Sequence, residues 1–431
     1  MFLAHIYNID YIEYSHELDL LQIVGLQDAN GSSPKQGKVN PIWTLAKEVN
    51  LTTVSTDGFT ELYDTNGPRD WSAAVERYIK AAALATRLSK SEVGTGKDDI
   101  SQQAALELVG WNATNNIYEQ AAESLLMEFN VAVPADLSSA HFSPFSAETA
   151  PETNLGAYSR FVVDQRGYDL VTKHFASKYM SVNDTRLVLD TPVTQISYSD
   201  SGVVVQTDDS CYSANYAICT FSLGVLQQAI EGNALVKFEP ELPAWKAKSI
   251  DGNLMGIYTK IYYQFNPEQV FWPKDVRTFL YASPTHQGWW TIWLSLDFPG
   301  SPLEGSGIIL SSMIWDESEQ IEQQTDDETM RQGLEVLQQM FPNATIPQPK
   351  AFSYPRWSTT PWAYGSYPGW ATGYTLQDQD DLRANIGRLW FAGDATSEEY
   401  WGYLHGAFYE GQNAGEAIAA EIMNGIRKDQ L

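Results

Sequence analysis

The chain has 431 residues, 43% hydrophobic and 19% charged, and 54 acidic against 27 basic side chains give it a net charge of −27. That length exceeds one ordinary core and asks for two domains; the acidity excludes a binder of nucleic-acid phosphates and suits a cationic small molecule steered inward by the field. No apolar run nears the roughly 18 residues that span a bilayer, MFLAHIYNIDYIEYSHE lacks the apolar core of a secretory leader, and Asp429-Gln430-Leu431 is not the peroxisomal address.

Residues 70–132 carry apolar positions at three- and four-residue spacing, as in WSAAVERYIKAAALATRLSK, which predicts helices. The Pro-, Ser- and Ala-rich residues 133–155 read as a crossing between domains. Phe161-Val162-Val163-Asp164 then opens a strand, followed by Gly167 and a helix. LVLDTPVTQISYSDSGVVVQT alternates with a period of two and turns at Asp200-Ser201-Gly202, a hairpin. Tyr216-Ala217-Ile218-Cys219-Thr220 reads as a short buried strand. The chain's two cysteines, Cys211 and Cys219, are too few for a disulfide framework or a metal site and are expected as buried thiols. Strands return over residues 254–315 and a helix over 327–341. Five Asn-x-Ser/Thr triplets, at Asn30, Asn50, Asn112, Asn183 and Asn343, permit a secretory route.

The chain ends on a strand–loop–helix unit. Leu389-Trp390-Phe391-Ala392 runs into Gly393-Asp394, an aromatic loop follows, and Ala407, Gly411 and Gly415 recur every four residues. Such a unit suits a dinucleotide, because ligands of α/β sheets sit at strand ends where helix N–H groups face negative charge. Asp394 could accept from a sugar or ribityl hydroxyl; read alone, it serves equally as the cap of a plain α/β unit.

Together with three other stretches, this unit resembles the flavin-containing amine oxidases, and within them the fungal and plant polyamine oxidases. The stretches are Phe161 through Tyr168, Ser222-Leu223-Gly224-Val225-Leu226-Gln227, and Ile257-Tyr258-Thr259-Lys260-Ile261 followed by Phe271-Trp272. The similarity runs from about Ile23 to the end. It implies an α/β fold in which a Rossmann-like FAD domain interleaves with a substrate domain of sheet and helices. The boundaries would be 1–44 for an N-terminal flavin-domain remnant, 45–155 and 251–355 for the substrate domain, and 156–250 and 356–431 for the FAD domain.

The resemblance also implies chemistry. FAD would take hydride from the carbon beside an amine nitrogen of a polyamine and pass electrons to O2, giving H2O2. Tyr367 and Tyr403 would flank the route to the flavin, with Tyr258 and Trp357 lining the same cavity. Aromatic faces suit an amine that arrives as a cation and reacts neutral. Lys260 matches the lysine that holds a water against the flavin. Val193, Trp357, Gly393, Asp394, Tyr403 and Leu404 would contact FAD, and His405, at the helix start, reads as structural. Ser366 stands where monoamine oxidases carry a flavin-bonding cysteine, so FAD is expected to be non-covalent. Neither a nucleic acid, a membrane nor an obligate protein partner is expected.

The sequence also departs from that pattern. No Gly-x-Gly-x-x-Gly turn occurs in the chain, and residues 1–22 match nothing in the family. The N-terminal βαβ unit is therefore expected to be missing and FAD to be held poorly. Val24 and Val133 stand where relatives place polar or acidic side chains. Two alternatives follow: an inactive remnant without FAD, and an L-amino-acid oxidase, for which Arg356 is the one nameable carboxylate clamp.

Overall fold

A computed structural model describes residues 22–26, 39–55, 58–145, 155, 158–301 and 303–429. Its largest sheet has seven strands in the order Ala351–Ser353, Tyr258–Gln264, Ile308–Ile314, Ile292–Ser295, Val276–Tyr281, Phe59–Asp64 and Gly67–Arg69. All neighbours are antiparallel except Val276–Tyr281 against Phe59–Asp64. These strands are rich in Ile, Leu, Tyr and Phe, and their side chains alternate between two faces. Ile261, Tyr263, Phe279, Trp293 and Ile309 point into one aromatic core with Trp290, whose ring stacks on Trp293 at 5.4 Å. The helix Asp326–Met340 closes that face, starting on the Thr325 hydroxyl with three acidic residues in its first turn, where the dipole favours them. Gly333 lets it lie close: a Cβ there would stand 2.0 Å from the Tyr263 hydroxyl.

The opposite face, carrying Leu62, Leu280 and Ile292, packs on a helical layer through Ala121. That layer holds Ser72–Glu92, Gln102–Leu108 and Ile117–Glu123, continues through one π turn at Ser124–Glu128, and ends where Ala132 adopts a left-handed φ of 55°. The expected crossing over 133–155 is, as far as it is described, part of this layer. Val133, Ala135, Ala140 and Phe145 are buried, and Ser138 and Ser139 are tied to Ala371 and Ser101 by bridges. Small apolar residues hidden in a polar composition explain the difference.

A second system of sheets comes from residues 193–219, 237–239 and 389–391. The hairpin forms as Val193–Ser199 and Gly202–Thr207, flanked by Lys237–Glu239 and Cys211–Ala214. Ala217–Cys219 pairs in parallel with Leu389–Phe391, joining Ile218 to Trp390 and Cys219 to Phe391. Cys219 is buried as expected; Cys211 is exposed, because it starts an edge strand on the outward-facing register. Helices Leu223–Glu231, Ala244–Asp251, Leu376–Arg383 and Leu404–Asp429 surround these strands. Lys246, fully buried, donates to the carbonyls of Asp381, Leu382 and Ala384 at 2.6, 2.8 and 2.6 Å and lies 4.0 Å over the Phe391 ring. Burial pulls its ammonium down to about 7, while three carbonyls hold the charged form and cap the helix end.

Candidate active site

The period of the strand Tyr258–Gln264 sets one wall. Tyr258, Lys260 and Tyr262 share the face turned away from the aromatic core, and Lys260 pairs with Ser312 on the next strand. Lys260 Nζ stands 5.2 Å above the Tyr258 ring. Tyr258 is buried, and desolvation holds its phenol neutral far above the ordinary range.

Tyr367 reaches this wall from residues more than a hundred positions away. Gly256 pairs with Tyr367 and Met255 with Pro368, and the Tyr258 and Tyr367 rings sit with centroids 6.0 Å apart. Phe129 packs edge-on to Tyr258 at 5.4 Å from the helical layer. The Ser366 hydroxyl accepts from Tyr258 N–H at 2.8 Å and donates to its carbonyl at 3.2 Å, fixing the strand end. The backbone at Gly402, φ 75°, closes on the Tyr367 ring, so a Cβ there would lie 3.3 Å from Tyr367 Cδ2. Trp357 is buried in a short turn, and its carbonyl accepts from Gly365 N–H at 2.9 Å.

The second wall is the chain's last strand–loop–helix unit. Gly393, at φ 134°, follows Leu389–Phe391, and Asp394 opens a single 3-10 turn. Burial pushes the Asp394 carboxyl up to about 6, against opposing backbone hydrogen bonds. The helix begins at Leu404. Tyr403 stacks on His405 at 5.1 Å and Tyr400 meets His405 edge-on at 4.7 Å. Val193 lies in the core that also holds Phe391 and Ala395.

His405 is buried, and desolvation lowers its pKa to about 4, so the ring is neutral at pH 7. Asn40 Oδ1 accepts from Ile42 N–H at 2.9 Å, which turns its amide nitrogen toward His405 Nδ1 at 3.5 Å. The imidazole proton therefore belongs on Nε2, which is buried and has no hydrogen-bond partner. An orphaned donor at a helix N-terminus, on the same strand–loop–helix unit as the buried Asp394 carboxyl, fits the oxygen- and nitrogen-rich edge and the hydroxyls of a flavin dinucleotide. The phosphate-binding turn has no counterpart among the described residues.

The structure thus brings Lys260, Tyr258 and Tyr367 together and sets Tyr403, Leu404 and Asp394 on one strand–loop–helix unit joined to Tyr367 through Gly402. It also removes the carboxylate clamp. Arg356 donates to Asp326 at 2.7 Å, to the Tyr354 hydroxyl and to the carbonyls of Glu322 and Gln324. The guanidinium is spent on structure.

Three acids escaped the sequence reading. Buried Glu322 accepts from the Thr259 hydroxyl and from Ser358 N–H and hydroxyl, tying the Lys260 strand to the Trp357 turn. Glu123, which caps the π turn, and Glu128, which ends it, are both buried. Burial first, and then the charge of Glu123, push Glu128 up to about 8, with Ser124 as its hydroxyl partner at 2.9 Å. A five-residue spacing falls on opposite sides of an α-helix and on one side of a π turn, so no α-periodic pattern flags this pair.

Comparison with known proteins gives the class. The family profile described as flavin containing amine oxidoreductase matches residues 30–419. The chain belongs to that family, with FAD as its cofactor. Among its relatives, polyamine oxidase 6 of Oryza sativa subsp. japonica is 32% identical over 406 residues, covering 88% of this chain and 78% of that protein. Polyamine oxidase 1 of Zea mays is 31% identical over 402 residues, covering 89% and 78%. Solved putrescine oxidase bound to putrescine superposes with a TM-score of 0.68 at 16% identity, over 90% of this chain and 86% of that one. Cyclohexylamine oxidase from Brevibacterium oxydans gives 0.65 at 16% identity, over 88% and 85%. Both share the fold.

Proposed function

We propose that the chain is a polyamine oxidase acting on spermine- or spermidine-like substrates. The observation that carries this reading is the wall of Lys260, Tyr258 and Tyr367, set beside the Asp394–His405 unit. Tyr258 and Tyr367 present ring faces that attract an incoming ammonium and tolerate the neutral amine that must react. Lys260 Nζ, 5.2 Å over the Tyr258 ring, takes or orders the proton that leaves the nitrogen through a water it holds against the flavin. Non-covalently bound FAD would supply the hydride acceptor and the route of the electrons to O2, with H2O2 as product. His405 Nε2–H and the helix N–H groups would hold its pyrimidine edge, and Asp394 a ribityl hydroxyl. The net charge of −27 favours a polycation over a monoamine. The interleaving of residues 45–155 and 251–355 with 156–250 and 356–431 is part of the same reading, since Tyr258 and Lys260 come from one set of segments and Tyr367, Asp394 and His405 from the other.

The test is direct. Purified protein kept in excess FAD should release peroxide with spermine or spermidine faster than with benzylamine. No peroxide in excess FAD, or equal rates on monoamines, overturns the reading.

A further inference from the structure

Four Asn-x-Thr triplets lie within the described residues: Asn50-Leu51-Thr52, Asn112-Ala113-Thr114, Asn183-Asp184-Thr185 and Asn343-Ala344-Thr345. Each follows the end of a helix, after Glu48, Leu108, Ser177 and Met340, in backbone that belongs to no helix or strand. In all four the asparagine and threonine are exposed while the middle residue turns inward, Leu51 and Ala113 being buried and Asp184 and Ala344 partly so. A side chain out, in and out presents amide and hydroxyl on one side of the chain, as an enzyme that reads both groups requires. At Asn112 the carboxamide oxygen accepts from Thr114 N–H at 3.0 Å, which leaves the amide nitrogen facing outward.

Exposed turns favour asparagine in any protein, so exposure alone decides little. The contrast within this chain decides more. The asparagines buried among the described residues, Asn40 and Asn253, belong to no such triplet. Of the four triplets, two have a small neutral alanine in the middle. Asn183 is followed by an aspartate held by Arg186, and the carbonyl of Asn50 accepts from Arg166 at 2.9 Å.

We propose that Asn112 and Asn343 carry N-linked glycans, so that this chain is made on the secretory route. In the transfer, Asn Nδ2 bonds to the anomeric carbon of an oligosaccharide carried on a polyprenyl diphosphate. The bond from that carbon to the diphosphate oxygen breaks, the diphosphate leaves with the electron pair, and the amide proton passes to the transferase base. Both sites sit past helix ends on the surface, so a bulky sugar meets no packed element. Neither residue belongs to the flavin or amine walls.

The experiment takes the protein from the cells that make it and releases glycans with peptide N-glycosidase in heavy-oxygen water. Heavy-labelled aspartate is expected at positions 112 and 343, with faster gel migration after release. T114A should abolish the label at 112 alone and T345A at 343 alone, with peroxide release per bound flavin unchanged, which separates this inference from the proposed reaction. An unlabelled asparagine at either position in the parent protein overturns it.

Discussion

Glu128→Gln removes a buried acid that the fold keeps protonated. Its carboxyl, ordinarily at 4.5, is raised to about 8 by burial and by the charge of Glu123. As pH rises through about 4.5, the unfolded chain releases this proton while the folded chain keeps it, so stability falls until the folded group ionises near 8. The stabilisation is fully present below 4.5 and lost across that window. The gap between 4.5 and about 8, at about 1.4 kcal/mol per pH unit, is about 5 kcal/mol. Glu123 is also raised by burial and titrates together with it, so only part of that, about 2–3 kcal/mol, is assigned to Glu128 alone. Gln keeps the shape and can still bond the Ser124 hydroxyl. Urea unfolding followed by tryptophan fluorescence should therefore find the two proteins within about 1 kcal/mol near pH 5 and the variant more stable by about 2–3 kcal/mol near pH 8. Stability curves that run parallel between these pH values would refute the argument.

Lys260→Met should lower kcat/KM for polyamine oxidation by about 100-fold or more while leaving the unfolding midpoint in place; unchanged kinetics would contradict the proton-handling role. Lys246→Met strands the carbonyls of Asp381, Leu382 and Ala384, and urea unfolding should show a loss of about 3 kcal/mol. An unmoved midpoint would mean water replaces the ammonium. Gly224→Ala places a Cβ 2.3 Å from the Tyr364 carbonyl oxygen and 2.6 Å from that of Ala363, both backbone, and should cost at least about 2 kcal/mol in the same assay.

Local pattern carries the elements whose signal is local. The hairpin at Asp200-Ser201-Gly202 is legible because a strict two-residue alternation meets a turn, and Gly202 is required where a Cβ would stand 2.7 Å from the Ala214 carbonyl oxygen. The strand Ala217–Cys219 is legible as a run of apolar residues, although its parallel partner lies more than 160 positions away. The meeting of Tyr258 with Tyr367 has no local signature: it follows from Gly256 pairing with Tyr367, and only the family resemblance brings those segments together beforehand. The exposure of Cys211 depends on register in an edge strand too short to show a period. The Glu123–Glu128 pair is hidden for the reason given above: the backbone changes its period where they sit.

Ser366 holds Tyr258 from behind, through the main chain on both sides of that residue. The orientation of the aromatic wall is thus encoded by a serine that need not touch an amine. Exchanging the ring at position 258 for a smaller or larger one changes the wall's surface without removing either main-chain bond to Ser366. The ring at that position is therefore free to vary in sequence while its backbone stays anchored, with Phe129, 5.4 Å from it, as the neighbour that bounds its size.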